Sequence, residues 1–182
     1  MSVALRTPRL LLREWRDSDY DGFAAMSREP GAMDYLMPFA DRAASDAWID
    51  RMRAHQAEHG FAQMAVELPG TAALIGAIGL LRVRFAAAFA PAVEIGWRIA
   101  PALWGRGYAY EGARAALDDG FGRLHLDQIV AFTVAANRRS WGLMERLGMA
   151  RDTTDDFDHP SVPEGHPLRR HILYRLRRPG AR

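Results

Sequence analysis

The chain has 182 residues and no cysteine, and its 24 cationic residues include no lysine: every one is arginine. Without cysteine there is no thiol nucleophile, disulfide or cysteine-ligated zinc; without lysine there is no Schiff-base chemistry and no Walker A phosphate loop. Any acyl transfer must therefore go straight to an acceptor or through an oxygen nucleophile. An excess of one charge is also missing, since 24 cations face 22 carboxylates for a net charge of +2. That balance lacks the basic stripe of a nucleic-acid binder. Long apolar runs are absent too: the longest stretch without a charged residue, Leu68 to Leu81, has 14 residues, too few to span a bilayer. Arg6, Arg9, Arg13 and Arg16 interrupt the start where a signal peptide needs an apolar core. The expectation is a cytoplasmic protein with neither nucleic-acid nor membrane partner.

What is present is a chain 49% apolar, with alanine at 31 positions, enough to bury one core. No repeat or low-complexity linker divides it, so residues 1–182 read as a single domain. Arg9 to Arg13 reads as a first strand. Asp17 or Asp19 is placed to cap a helix running to about Arg28, and a second helix runs from about Ser45 to a left-handed stop at Gly60. Phe61 to Leu68, Ala73 to Arg84 and Val93 to Ile99 read as successive antiparallel strands. A helix from about Gly107 to Phe121, a strand over Gln128 to Val134 and a helix from Asn137 to Leu147 follow. Two strands, around Ala150 to Phe157 and Arg169 to Arg177, close the chain. The predicted fold is α/β: a mixed, mostly antiparallel sheet of about seven strands flanked by about four helices.

The most informative segment is the strand Val93–Ile99, then Ala100 to Leu103, then Trp104-Gly105-Arg106-Gly107-Tyr108-Ala109 opening a helix. A helix start carries unpaired N–H groups and the positive end of the dipole, and glycines admit close approach, so this turn suits phosphate. It fails the dinucleotide pattern, because the sixth place from Gly105 is Tyr110. It equally suits a tight turn with no ligand. Its letters fit (Q/R)-x-x-G-x-(G/A), with Gly107 and Ala109 in the small positions, and here the chain resembles the Gcn5-related N-acetyltransferases (GNAT). Asn137-Arg138-Arg139-Ser140 followed by Glu145-Arg146-Leu147-Gly148-Met149 is similar to the signature of the RimJ/RimL-like branch. So are the opening Thr7 to Arg13 and the closing His171 to Tyr174.

That resemblance implies acetyl-CoA as co-substrate and an amine as acceptor, with no metal. It implies that backbone groups of Trp97, Arg98 and Ile99 face the pantetheine arm and that amides from Trp104, Gly105, Arg106, Gly107, Tyr108 and Ala109 hold the pyrophosphate. It also implies that Asn137 bonds the pantetheine and that Ser140 lies near the sulfur to protonate the leaving thiolate. Asn137 is equally a helix N-cap. Two departures stand out: Met144 replaces the tyrosine proton donor, and Phe132 replaces the glutamate base, of relatives that acetylate protein N-termini.

An ammonium acceptor must lose a proton before it attacks, so a base is needed. Glu94, on the strand beside the thioester, leads, unless it pairs with an arginine. The acidic stretch Asp152 to His166 reads as a loop bordering the acceptor channel, favouring cationic substrates and offering His159 as a reserve base. The function predicted is direct acetyl transfer to a primary amine, a protein N-terminus or a small molecule, in a ternary complex. The loss of tyrosine and glutamate leaves an alternative: a non-catalytic acyl-CoA-binding module. Phe85 to Phe89 offers a surface for a homodimer.

Overall fold

Where the apolar pattern changes period, the chain changes element. Leu5–Arg6 (β1) and Leu11–Arg13 (β2) form a short hairpin, followed by helices Asp19–Ser27 (α1) and Arg42–His59 (α2). Strands Gln63–Leu68 (β3), Ala72–Arg82 (β4) and Val93–Ile99 (β5) come next, then a single 3-10 turn and helix Tyr108–Gly122 (α3). Strand Gln128–Val134 (β6), helix Arg138–Arg146 (α4) and strands Ala150–Asp158 (β7) and Arg170–Arg177 (β8) complete the fold. The computed structural model describes residues 4–178 and Gly180. The sheet has eight strands in the order β1-β2-β3-β4-β5-β6-β8-β7. The strand beyond the expected number is β1.

Helix ends follow local chemistry. The Asp41 carboxylate accepts from the Ala44 amide at 2.8 Å to start α2, and Gly60, at φ 76°, ends it. The expected carboxylate cap of α1 does not form. Ser18 holds the N-cap position without a side-chain bond, while Asp19 is buried and bound by both ends of the Arg13 guanidinium. Pairing with a buried arginine outweighs capping, because an unpaired interior guanidinium costs several kcal/mol, about 3–5, against about 1 for a cap.

Two half-sheets meet at one point. Strands β1 to β5 run antiparallel to one another, as do β6, β8 and β7, whereas β5 and β6 are parallel and register at Glu94↔Val130 alone. Helices α3 and α4 cover one face of the sheet, with Ala113, Leu117, Leu143 and Met144 packed on Ile78, Ile95 and Ile129. The other face carries α1 and α2 over β3 and β4, around Trp15, Phe23, Ile49 and Met52. Beside them, over β6 and β8, lies a cluster of Phe85, Phe89, Phe132 and Phe157. Phe89 is buried and Phe85 partly buried in this cluster, so the two rings pack on the fold's own aromatic residues.

Candidate active site

The site begins where β5 and β6 part. Their common register lies near the start of both strands, so their C-terminal halves diverge and leave a wedge. The hydrogen-bond parity of an antiparallel ladder settles which groups face it. The Val83 amide donates to Ala92 and the Ala100 amide to Ile75, so Glu94, Gly96 and Arg98 use their backbone groups on β4. Ile95, Trp97 and Ile99 turn theirs toward β6. Of the three β5 residues expected along the pantetheine, the backbone of Trp97 and Ile99 faces the wedge and that of Arg98 does not. The Ile99 carbonyl is taken by the Trp104 indole at 2.7 Å, which pins the following turn to the end of the strand.

That turn is rich in free donors. Among the described residues, no acceptor meets the consecutive amides from Gly105 to Tyr110. Helix α3 starts from Gly107, φ 81°, without a side-chain cap, whereas Asp41 and Asn137 cap α2 and α4. Nothing lies within 4 Å of where a Gly105 Cβ would project. Consecutive uncapped amides on an open left-handed turn form a cradle for an anion. Arg9 holds the cradle from below. It donates to the Arg106 carbonyl at 3.0 Å, pairs with Glu111 at 2.6 Å and lies over the Tyr108 ring at 4.7 Å. Burial opposes ionisation of Glu111, but hydrogen bonds from Thr7 and Arg9 outweigh it and hold its carboxyl below the ordinary value. Across the mouth, the Arg139 guanidinium stacks on the Trp104 ring at 3.9 Å, so the starts of α3 and α4 meet there. Neither the Arg9 clamp nor Arg139 stands out in the sequence, because each gains its meaning from a partner far along the chain.

Asn137 opens α4. Its Oδ1 accepts from the Ser140 amide at 3.3 Å and its Nδ2 donates to Thr133 Oγ1 at 3.1 Å, so it works as a cap. One amide hydrogen remains for a ligand. The Ser140 hydroxyl has no partner among the described residues. Met144 is buried in the core, and Phe132 is partly buried in the aromatic cluster.

The opposite side of β5 has a different character. Glu94 is half-buried, and among the described residues no hydrogen bond or ion pair reaches its carboxylate, so the expected competition from an arginine is absent. Burial raises its pKa from 4.5 to about 8. Two places on, Gly96 leaves a notch covered by the Gln63 side chain, whose Nε2 would collide with an added Cβ. Gln63 also lines a cavity of about 430 Å³ beside Trp15, Met52 and Gln56. Two places further, the Arg98 guanidinium lies among the Phe23, Phe39 and Trp48 rings.

The acidic stretch changes its reading. Asp152 to Asp158 belongs to β7, and its carboxylates are taken: Asp152 and Asp155 by Arg175, Asp156 by Arg151, Asp158 by Arg169 and Arg170. This strand therefore presents no uncompensated negative surface to a cationic substrate. His159 packs against the Phe85 ring at 4.8 Å, and burial with the nearby His171 lowers its pKa to about 4, well below that of Glu94. Among the described residues no cluster of three or more His, Asp or Glu could hold a metal, and no helix is long and apolar enough to cross a membrane.

Fold and site together define an α/β protein built on a splayed pair of parallel strands, with an anion cradle at the mouth and a half-buried carboxyl behind it. Residues 9–150 match the family model described as acetyltransferase (GNAT) domain. The uncharacterized N-acetyltransferase YnaD of Bacillus subtilis (strain 168) is 29% identical over 164 residues, covering 89% of each chain. An acetyltransferase structure from Agrobacterium tumefaciens str. C58 is 27% identical with a TM-score of 0.74, covering 96% of this chain and 94% of that one. The ribosomal-protein-S5-alanine acetyltransferase structure from Vibrio fischeri is 18% identical with a TM-score of 0.76, covering 99% of each. The chain belongs to the GNAT acetyltransferase family and is an acyltransferase. Enzymes of this family take acetyl-CoA as co-substrate.

Proposed function

We propose that this protein transfers the acetyl group of acetyl-CoA directly to a primary amine in a ternary complex. The observation that carries the reading is the pairing of the open amide cradle, Gly105 to Tyr110, which follows the end of β5, with a half-buried, unpaired Glu94 near the start of the same strand. Acetyl-CoA supplies an activated thioester and two linked phosphates. The cradle amides suit the pyrophosphate, and the backbone of Trp97 and Ile99 suits the pantetheine and the thioester carbonyl, where an N–H stabilises the developing oxyanion.

Glu94 accepts the proton that an ammonium must lose. The freed nitrogen attacks the carbonyl carbon, a C–N bond forms, the nitrogen gives its second proton to solvent, the C–S bond breaks, and the thiolate takes a proton from the Ser140 hydroxyl, which recovers one from solvent. The absence of cysteine fits this direct route. We propose the RimJ/RimL-like branch for the chain, a reading supported by the Asn137–Met149 signature.

The test is steady-state kinetics of thiol release across a panel of amines and peptide N-termini. Intersecting double-reciprocal lines are expected. Parallel lines, or acetylated protein after incubation with acetyl-CoA alone, would overturn direct transfer.

A further inference from the structure

Arg98 is a half-buried cation whose Nη1 is buried, and among the described residues nothing of opposite charge lies beside it. Interior arginines elsewhere in the fold meet carboxylates: Arg13 binds Asp19 and Glu67, and Arg175 binds Asp152 and Asp155. Among the described residues Arg98 meets none. Its guanidinium sits 5.3 Å from the Phe23 ring centre, 5.4 Å from Phe39 and 5.3 Å from Trp48, and its Nη1 is buried without a hydrogen-bond partner. Ring faces satisfy the charge in part but accept none of its five N–H bonds. A buried donor without an acceptor is costly, and a planar, water-poor fork of donors is what binds a carboxylate in bidentate fashion.

Its position ties it to the reaction. Arg98, Gly96 and Glu94 share the face of β5 that looks away from α3 and α4, with the Gln63 carboxamide lying over Gly96 between them. Four strand residues separate the Cα atoms of Glu94 and Arg98 by about 13 Å, a span that two side chains and a small molecule can fill. Phe39 comes from the segment joining α1 to α2, and a Cβ added at Gly31 of that segment would lie 3.3 Å from the Trp104 ring. One connecting segment thus walls Arg98 and touches the cradle side.

We infer that Arg98 recognises a carboxylate on the acceptor, so that the amine acetylated is an amino acid or a short amino-acid derivative with a free carboxylate. This rests on the acetyl-transfer reading above. It excludes polyamines as preferred acceptors, because they would place a second cation against an uncompensated guanidinium.

The test compares matched pairs at saturating acetyl-CoA: glycine, β-alanine and γ-aminobutyrate, each against its carboxamide, by thiol release. For at least one pair, kcat/KM for the carboxylate exceeds that for the amide by about thirtyfold, the loss expected when one partner of a buried ion pair is removed. Arg98→Gln brings that ratio near unity and Arg98→Lys keeps part of it. Because the ratio is internal to each preparation, a partly unfolded variant still reports it. Amides that equal carboxylates in the wild type, or a preference that survives Arg98→Gln, would overturn the inference. If neither member of any pair is acetylated while other amines or peptides of the panel release thiol, the inference is overturned; if nothing on the panel releases thiol while calorimetry shows coenzyme A bound, the transfer reading has failed. The carboxylate site is then read by titrating the fluorescence of Trp48 and its neighbours with the same amino acids. A saturable change abolished in Arg98→Gln supports it, and no change overturns it.

Discussion

Glu94 and Arg98 stand four residues apart on one strand face, and burial moves them in opposite directions. It pushes the carboxyl up to about 8 and the guanidinium down to about 10, since it penalises whichever form is charged. For Glu94 this means that near neutral pH most molecules hold a protonated carboxyl, so kcat/KM should climb as pH rises through about 8. Glu94→Gln should lower kcat/KM by about a hundredfold and remove that rise, the size of a general-base contribution. A variant with the wild-type pH profile would show that the base lies elsewhere. The same shift has a stability consequence. Because the folded-state value lies above the unfolded one, the folded chain holds an extra proton between pH 4.5 and about 8 and loses stability as pH rises across that window. In urea titrations the wild type should lose stability relative to Glu94→Gln between those limits. Ser140→Ala should cost about a hundredfold in kcat, the low end of proton-transfer catalysis, with the largest effect on poorly leaving thiolates.

At the scale of elements, the turn before α3 and the anchoring of α2 carry the clearest consequences. A side chain at Gly107, φ 81°, must adopt left-handed backbone at a cost of about 1–2 kcal/mol, and its Cβ would meet the Arg9 guanidinium at 3.4 Å. Gly107→Val should therefore raise KM for acetyl-CoA about tenfold while the far-UV circular dichroism is retained; an unchanged KM would remove the turn from the binding site. Helix α2 is tied to the sheet by His55, whose Nδ1 bonds the Phe61 carbonyl at 2.7 Å and whose Nε2 accepts from the Arg82 amide at 3.2 Å. Only the neutral ring with its proton on Nδ1 makes both bonds. His55→Leu leaves a buried carbonyl and amide unpaired and should cost about 2–4 kcal/mol in urea denaturation. Burial lowers the pKa of His55 despite its bond to Phe61, so the stability it confers is present above 6.5, its ordinary value, and lost as pH falls below it. The difference between wild type and variant should shrink on acidification.

Across the whole molecule, the wedge exists because two half-sheets share one register point and then separate, held on one face by α3 and α4 and on the other by aromatic residues. A ligand seated there joins both halves. Coenzyme A at a hundred times its Kd should stabilise the protein by about 2.7 kcal/mol, a rise of about 5–10 °C in Tm. Differential scanning calorimetry measures it, and Gly107→Val should need a higher coenzyme concentration for the same rise.

The order and nature of the elements were legible in the residues, since apolar period and end signals are local. Val93–Ile99 and Gln128–Val134 have the expected ends, and Gly60 and Asn137 bound their helices as their backbone and side-chain chemistry requires. The glycine turn could be read as an anion site for the same reason, because uncapped amides are a property of a few consecutive residues. What the sequence could not decide was every relation across distance. The carboxylates of Asp152, Asp155, Asp156 and Asp158 looked free until the fold set arginines against them, and Phe85 and Phe89 looked like a surface until Phe132 and Phe157 covered them. Glu94 and Arg98 are a charged pair in an apolar strand whichever way they are read. Only ladder parity, which turns their backbone to β4 and their side chains away from α3, and the lack of a paired counter-charge among the described residues make them a carboxyl able to take a proton and a guanidinium left open to a ligand. Charge compensation depends on three-dimensional neighbours, so it is settled by tertiary packing.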